Sequence, residues 1–284
     1  MTVPQSRPRR SVLYLPASNS RAIEKARTLD CDCVILDLED AVAPDAKAEA
    51  RESAVGAVRD GGFGRRELVV RVNGIDSDWS AEDCAALREA APDAVLLPKI
   101  DDGEALRAYR AMLGGDIALW AMIETARSML SLREIAQASN DFGVTCWVMG
   151  TNDLVKELDA VPPADRSSLM PFLAMSVAAA RGYGIEIIDG VYNAFDDIAG
   201  FERECAQGVA LGFGGKTLIH PRQIDPCNRA FSPSGEEVEW SRKVVAAFDR
   251  PENADKGALK VEGRMVERLH LARAQKVLAV TGEA

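Results

Sequence analysis

Eight short apolar runs lie between Ser11 and Ile219, and a stretch with helical spacing follows each of them. The runs are Ser11–Leu15 (SVLYL), Cys33–Leu38 (CVILDL), Glu67–Val72 (ELVVRV), Ala94–Pro98 (AVLLP), Ile117–Thr125 (IALWAMIET), Val144–Met149 (VTCWVM), Gly184–Ile188 and Gly215–Ile219 (GKTLI). None alternates polar with apolar, which is the pattern of strands buried on both faces. Helical spacing follows over RAIEKARTL with Asn19 as its cap, from Pro44 to about Asp60, and over Ser80–Ala90, Asp102–Leu113 and Ala126–Ala138. It continues over Ser167–Arg181, Asp196–Leu211 and Gly235–Asp249. Repeated strand–helix alternation with no hairpin signal and no linker means a parallel sheet. Eight such units in about 250 residues predict a closed (β/α)8 TIM barrel. A doubly wound open sheet is the alternative, but no GxGxxG follows the first run. The expected organisation is a barrel over residues 1–250, with Met1–Arg10 as a mobile arm, and a C-terminal helical extension over 251–284 that carries VERLHLARAQKVLA.

Chemistry in such a barrel comes from the C-terminal ends of the strands. Read in order, those ends offer Glu39 and Asp40, Arg71, Lys99, Glu124, Asp153, Asp189 and His220. One or two ionisable groups there would be unremarkable caps, whereas a ring of them implies a polar pocket. Glu124 and Asp153 close neighbouring strands, and two hard oxygen ligands completed by water and substrate oxygens are a common way to hold Mg2+. Gly150, Thr151 and Asn152 in GTNDL add close backbone approach and further polar groups at the same rim. The bland readings are that Glu124 opens the next helix, favoured by its dipole, and that Asp153 caps LVKEL. Arg71 ends an otherwise apolar run and cannot be neutralised by burial, so it needs a carboxylate or a developing oxyanion. An ion pair with Glu39 or Asp40 would also orient it, and those acids can order water around a metal. Lys99 raises a rival chemistry, a Schiff base, against which Asp101 and Asp102 would keep its amine charged. His220 before Pro221 reads as a structural strand-end residue rather than a catalyst, and Asp189 in IIDGVYN reads as readily as a residue that shapes a loop.

The net charge of −10 argues against nucleic acid or an anionic membrane as partner. No apolar run reaches the roughly 18 residues of a membrane span, and MTVPQSRPRRSV lacks the apolar core of a secretory signal. Cys31, Cys33, Cys84, Cys146, Cys205 and Cys227 form no CxxC pair and no zinc spacing, so buried free thiols in a reduced, cytoplasmic protein are expected.

The segments VLYLPASN, VILDLEDAVAPDAK, VVRVNG, LLPKI, AMIET, GTNDL, DGVYN and KTLIHPRQI occur here in the order of the citrate lyase β-subunit-like (HpcH/HpaI aldolase) family. The chain resembles its CoA-ester lyases for malyl-CoA, β-methylmalyl-CoA and citramalyl-CoA, from Ser11 to about Ala279. The resemblance implies a barrel enzyme that uses Mg2+ to make or break the C–C bond of a 3-hydroxyacyl-CoA. Its partners would be a CoA thioester and a small 2-oxo acid, glyoxylate or pyruvate. It implies Glu124 and Asp153 as Mg2+ ligands, Arg71 on substrate and developing enolate, and Glu39 and Asp40 around the metal. Tyr14 and Lys25 fall where relatives contact CoA, and Lys99 joins the substrate-binding candidates at the rim. The tail segment GRMVE matches a G-K/R-M-I-D motif whose acid serves a neighbouring subunit, here Glu267, in a homotrimer or hexamer. Glutamate in place of aspartate resembles the branch that includes (3S)-malyl-CoA thioesterases, so hydrolysis of the thioester is the alternative outcome. A Schiff-base aldolase and a citrate lyase β-chain working inside a larger complex are the remaining readings.

Overall fold

A computed structural model describes residues 7–253 and 255–281. The chain alternates β1 (Ser11–Pro16), α1 (Ser20–Ala26), β2 (Cys33–Asp37), α2 (Lys47–Asp60), β3 (Glu67–Arg71), α3 (Ser80–Ala90), β4 (Ala94–Leu97) and α4 (Gly103–Leu113). It continues with β5 (Ala118–Ile123), α5 (Ala126–Phe142), β6 (Val144–Met149), α6 (Thr151–Glu157), α7 (Met170–Gly182), β7 (Glu186–Asp189), α8 (Ile198–Leu211), β8 (Gly215–Leu218) and α9 (Ile224–Ala230). The eight strands are parallel and β1 pairs with β8, so the sheet closes into the expected (β/α)8 barrel.

Alternation along each strand sorts its residues between two cores. Cys33 and Ile35 of β2, Val69 of β3, Trp120 and Met122 of β5 and Val148 of β6 fill the barrel interior. Leu36, Val70, Ala121 and Met149 face outward into the layer beneath the helices. This two-sided burial is why the strands read as continuous apolar runs. The period of two also carries ionisable groups inward at the ends: Asp37 follows Cys33 and Ile35, and Glu67 and Arg71 flank Val69, with Asp37 level with Arg71 in the register.

The floor of the barrel closes with Arg9, which makes a bidentate pair with Glu67 (2.7 and 2.7 Å) and lies 4.7 Å over the Trp120 ring. Arg10 pairs with the buried Asp32 at 2.8 Å. The arm expected to be mobile to Arg10 is therefore anchored at Arg9 and Arg10, because a guanidinium fits a carboxylate with two parallel bonds. Of the rest of that expectation, residues 1–6 lie outside the described residues.

The described residues form two compact units, Arg9–Phe231 and a smaller one made of Arg7–Pro8 and the residues from Ser232 onward. The smaller unit holds α10 (Gly235–Phe248), a hairpin of β9 (Ala258–Val261) and β10 (Arg264–Glu267), and α11 (Arg268–Thr281). Its core gathers Val244, Phe248, Val261, Val266 and Ala274. The division falls at Phe231 and not after residue 250: the helix that completes the eighth unit is α9, and α10 packs with α11. The hairpin turns on Glu262 and Gly263, both with positive φ (45° and 83°), the geometry of the two-residue turns that favour Asn-Gly. Glu-Gly met that geometry with no such signal.

All six cysteines are buried free thiols, as expected from their spacing. Among the described residues no helix is long and apolar enough to cross a membrane.

Candidate functional site

The C-terminal mouth of the barrel gathers a carboxylate–guanidinium–ammonium cluster around one isolated acid. Glu124 follows β5 with no solvent exposure. Its Oε1 accepts a hydrogen bond from the Lys99 backbone N–H at 2.8 Å, while Oε2 is buried and meets no donor. Burial pushes this carboxyl up to about 8, and the charge of Glu39 adds to the shift, with Asp153 a smaller contributor in the same direction. A buried oxygen without a partner is costly unless something charged binds it. Gly150, just past β6, is required by the same crowding: a Cβ there would sit 2.1 Å from Glu124 Oε2.

Asp153 lies half-buried in the first turn of α6. The N-cap position is Gly150, so Asp153 does not cap this helix. Glu124 instead opens the turn before α5, whose cap is Thr125 in a reciprocal pair with Ser128. Neither acid is consumed by the local duty its position suggested. Two carboxylates with a buried free oxygen fit Mg2+, a hard ion that usually keeps several water or substrate oxygens. Among the described residues no group of three or more His, Cys, Asp and Glu side chains is arranged to hold a metal.

Arg71 is fixed from three sides. Nε and Nη2 donate to the two oxygens of Asp37 (2.6 and 2.7 Å), Nη1 lies 2.9 Å from Glu39 Oε2 and 3.5 Å from Asp40, and the guanidinium sits 5.2 Å over the Tyr14 ring. Of five N–H donors, these contacts and a 3.5 Å approach of Nη1 to Met122 Sδ leave one on Nη2 for a ligand. Asp37 also accepts from the backbone N–H groups of Glu39 and Ala41. Burial raises the Asp37 carboxyl, yet Arg71 and those bonds outweigh it and hold it below the ordinary range. Burial also raises Glu39, and Arg71 and Lys99 only partly offset this.

The strand-end acids therefore work as a set. Lys99 Nζ bonds Glu39 Oε1 at 2.5 Å and lies 4.0 Å from Asp40. Burial would lower this amine, but Glu39 more than compensates and keeps it charged. The sequence argument against a Schiff base holds with different partners: Asp101 bonds Thr125 and Asp102 caps α4. Asp40 points mainly to solvent, with 57% of its side chain exposed.

Lys25 stays on the exposed face of α1, apart from this cluster. Tyr14 faces the barrel interior beneath Arg71, with its hydroxyl 3.8 Å from Met122 Sδ. Glu267 belongs to the smaller unit, exposed at the end of β10, where its backbone N–H donates to His270 Nδ1. His220 Nδ1 caps the 3-10 turn Pro221–Gln223, the structural part its position before proline suggested.

Two residues of the site were not among the sequence candidates. Asp37 was hidden in an apolar run, although its even spacing from Cys33 and Ile35 marks it as inward-facing. Lys47, the first residue of α2, is buried with Nζ donating to the carbonyls of Leu38 (2.7 Å) and Glu39 (2.6 Å), which fixes the loop that presents Glu39. Nothing in its local sequence marks that role.

This is an enzyme barrel with an acid-lined mouth, a fixed arginine and a buried carboxylate suited to a divalent cation. The chain belongs to the HpcH/HpaI aldolase/citrate lyase family, whose model matches residues 10–221. It is 46% identical to a (3S)-malyl-CoA thioesterase of Cereibacter sphaeroides, over 97% of this chain and 95% of that one. It is 31% identical to the mitochondrial citramalyl-CoA lyase of Homo sapiens, over 96% of this chain and 85% of the relative. The crystal structure of CitE from Mycobacterium tuberculosis in complex with magnesium, acetoacetate and coenzyme A superposes with a TM-score of 0.79 at 31% identity, covering 97% and 99% of the two chains.

Proposed function

We propose that this protein is a Mg2+-dependent CoA-ester lyase that cleaves or forms the C–C bond of a malyl-CoA-type 3-hydroxyacyl-CoA, with glyoxylate or pyruvate and an acyl-CoA as the other side of the reaction. The observation that carries this reading is the buried, partnerless Oε2 of Glu124 beside an arginine already oriented by Asp37 and Glu39.

Glu124 and Asp153 would hold the ion. When bound, Mg2+ supplies positive charge that polarises a substrate oxygen. Arg71 brings its remaining Nη2 hydrogen to the thioester oxygen as enolate charge develops there, and its rigid seating means little reorganisation is needed. Asp37 and the Tyr14 ring fix the plane of that guanidinium. Glu39, bridging Arg71 and Lys99, and Asp40 complete the charge arrangement at the mouth. Lys99, with 44% of its side chain exposed, is available to a substrate carboxylate. Lys25, exposed on α1, suits a CoA phosphate; a part for Tyr14 in CoA binding rests on resemblance.

Glu267 is assigned the proton at the enolate carbon, from the C-terminal segment of a neighbouring copy in a trimer or hexamer. Its support is the GRMVE motif. Six buried free thiols suit a reducing, cytoplasmic setting. A second reading keeps the site and the substrate but directs water to the thioester carbonyl, releasing malate and CoA; the thioesterase relative at 46% identity favours it.

Product analysis separates the two. Incubation with malyl-CoA and Mg2+ gives acetyl-CoA and glyoxylate if the lyase reading holds. Malate and free CoA with no 2-oxo acid would establish the thioesterase reading in its place.

A further inference from the structure

Asp189 ends β7 at the same rim, yet the chemistry proposed above makes no use of it. It points outward from the barrel, fully buried, in a cluster of two cations and two acids. Arg166 grips it through Nη1–Oδ1 and Nη2–Oδ2 bonds of 2.7 and 2.8 Å. Lys216 Nζ, itself fully buried, bonds Asp189 Oδ2 (3.1 Å), Glu204 Oε1 (2.6 Å) and the Gly190 carbonyl (2.5 Å), which uses all three of its hydrogens. The Gly190 N–H donates to Asp189 Oδ1 at 2.8 Å. Both polar ends of Gly190 are thus tied to one ionic cluster.

Gly190 in turn lies directly against the first turn of α6. A Cβ at this position would meet Thr151 Oγ1 at 2.5 Å and Thr151 Cγ2 at 2.7 Å. Thr151 opens the helix whose first turn carries Asp153. The same cluster also holds the far end of that excursion. Arg166, at φ 47°, ends the loop after α6, its Nε donates to Gln207 Oε1 (2.6 Å), and Gln207 Nε2 donates to the Asp165 carbonyl (3.0 Å). A seven-residue helix is too short to hold its own orientation. Here it is wedged at its start by Gly190 and tethered beyond its end by Arg166.

We propose that Arg166 and Lys216, acting through Asp189 and Gly190, are positioning residues that set the first turn of α6 and with it Asp153 relative to Glu124. This rests on the reading of Asp153 as a cation ligand. The cluster never touches substrate; it fixes the separation of the two carboxylates, on which cation affinity depends steeply.

The test is Mn2+ binding, read by the loss of the free-ion electron paramagnetic resonance signal, in the full-length chain and its variants well below their thermal midpoints. Asp153→Asn is expected to weaken Mn2+ at least a hundredfold. Arg166→Gln and Gly190→Ala are expected to weaken it at least tenfold while the far-ultraviolet spectrum stays that of the parent. Adding Thr151→Ala to Gly190→Ala removes both side-chain contacts of the new Cβ, leaving the Met149 carbonyl at 3.0 Å, and recovers part of that loss, which a general loss of stability would not do. If Arg166→Gln does not fold, the Gly190→Ala pair decides. Parent-like Mn2+ affinity in Arg166→Gln and Gly190→Ala, with Asp153→Asn impaired, overturns the positioning role alone. Parent-like affinity in Asp153→Asn removes the ligand reading and the proposal with it.

Discussion

Lys99 gives its backbone N–H to Glu124 Oε1 at 2.8 Å and its ammonium to Glu39 Oε1 at 2.5 Å. It does both from a left-handed conformation, with φ at 51°. One residue thereby fixes the orientation of the isolated acid and neutralises its neighbour. The left-handed region costs a non-glycine residue about 1–2 kcal/mol. Lys99→Gly should relieve that strain, keep the N–H for Glu124, and lose only the ammonium. We expect a thermal midpoint close to the parent's, retained Mg2+ affinity, and turnover reduced about tenfold, equivalent to about 1.4 kcal/mol of transition-state stabilisation lost with one oriented charge. Loss of Mg2+ binding in this variant would show that the side chain, and not the amide, orients Glu124.

The bond to Glu39 raises the Lys99 amine and disfavours the neutral form that a Schiff base needs. Borohydride added during turnover should leave the chain unlabelled, and EDTA should abolish activity with recovery on adding Mg2+. A borohydride adduct at Lys99, located by peptide mass mapping, would reverse both expectations.

Arg71→Lys tests the fixed guanidinium. A point ammonium cannot reproduce the bidentate grip on Asp37 while reaching Glu39. We expect turnover with malyl-CoA to fall about a hundredfold to a thousandfold, the scale of losing one charge-stabilising donor. Because Asp37 and Glu39 are buried, stability should fall too, by up to about 3–5 kcal/mol for a broken buried pair. Denaturant unfolding and steady-state rates measure the two effects separately.

Acid stability should report the Asp189 cluster. Burial pushes this carboxyl up, but Lys216 and Arg166 outweigh it and hold it below the ordinary range. A depressed native value contributes stability that is complete above the unfolded carboxylate value of about 3.9. That contribution is lost as pH falls through the lower native value. Asp189→Asn should therefore be less stable than the parent at neutral pH, with the gap narrowing below about pH 4. Parallel stability curves down to the acid transition would contradict this assignment.

How much of this was legible in the sequence depended on whether a signal was local. Ser80–Ala90 and Val144–Met149 have the bounds read from sequence, because helical spacing and an uninterrupted apolar run are unambiguous there. Glu124 was visible because an acid ending an apolar run stands out. Asp37 was not, because it sits inside LDLED and only the inward column shared with Cys33 and Ile35 separates it from the solvated acid Asp40. The partners of Lys99 were misassigned to Asp101 and Asp102, which are near in sequence, while the register brings Glu39 from two strands away. Arg9 and Arg166 anchor on Glu67 and Asp189 across 58 and 23 residues, distances at which the sequence pattern is silent. The tail's hairpin escaped because Glu262 adopts a conformation usually reserved for asparagine or glycine.

In the proposed reaction Glu124 holds the ion on which turnover depends, and its orphaned Oε2 makes it the residue to replace. Turnover of malyl-CoA against Mg2+ concentration, in the parent and in Glu124→Gln, measures it. We expect saturable activation of the parent. In Glu124→Gln we expect at least a hundredfold loss at any Mg2+ concentration, with a metal-free thermal midpoint equal to or above the parent's because the carboxyl whose ionisation burial disfavours is gone. Metal-free activity in the parent, or a Glu124→Gln variant that keeps the parent's Mg2+ response, would contradict it.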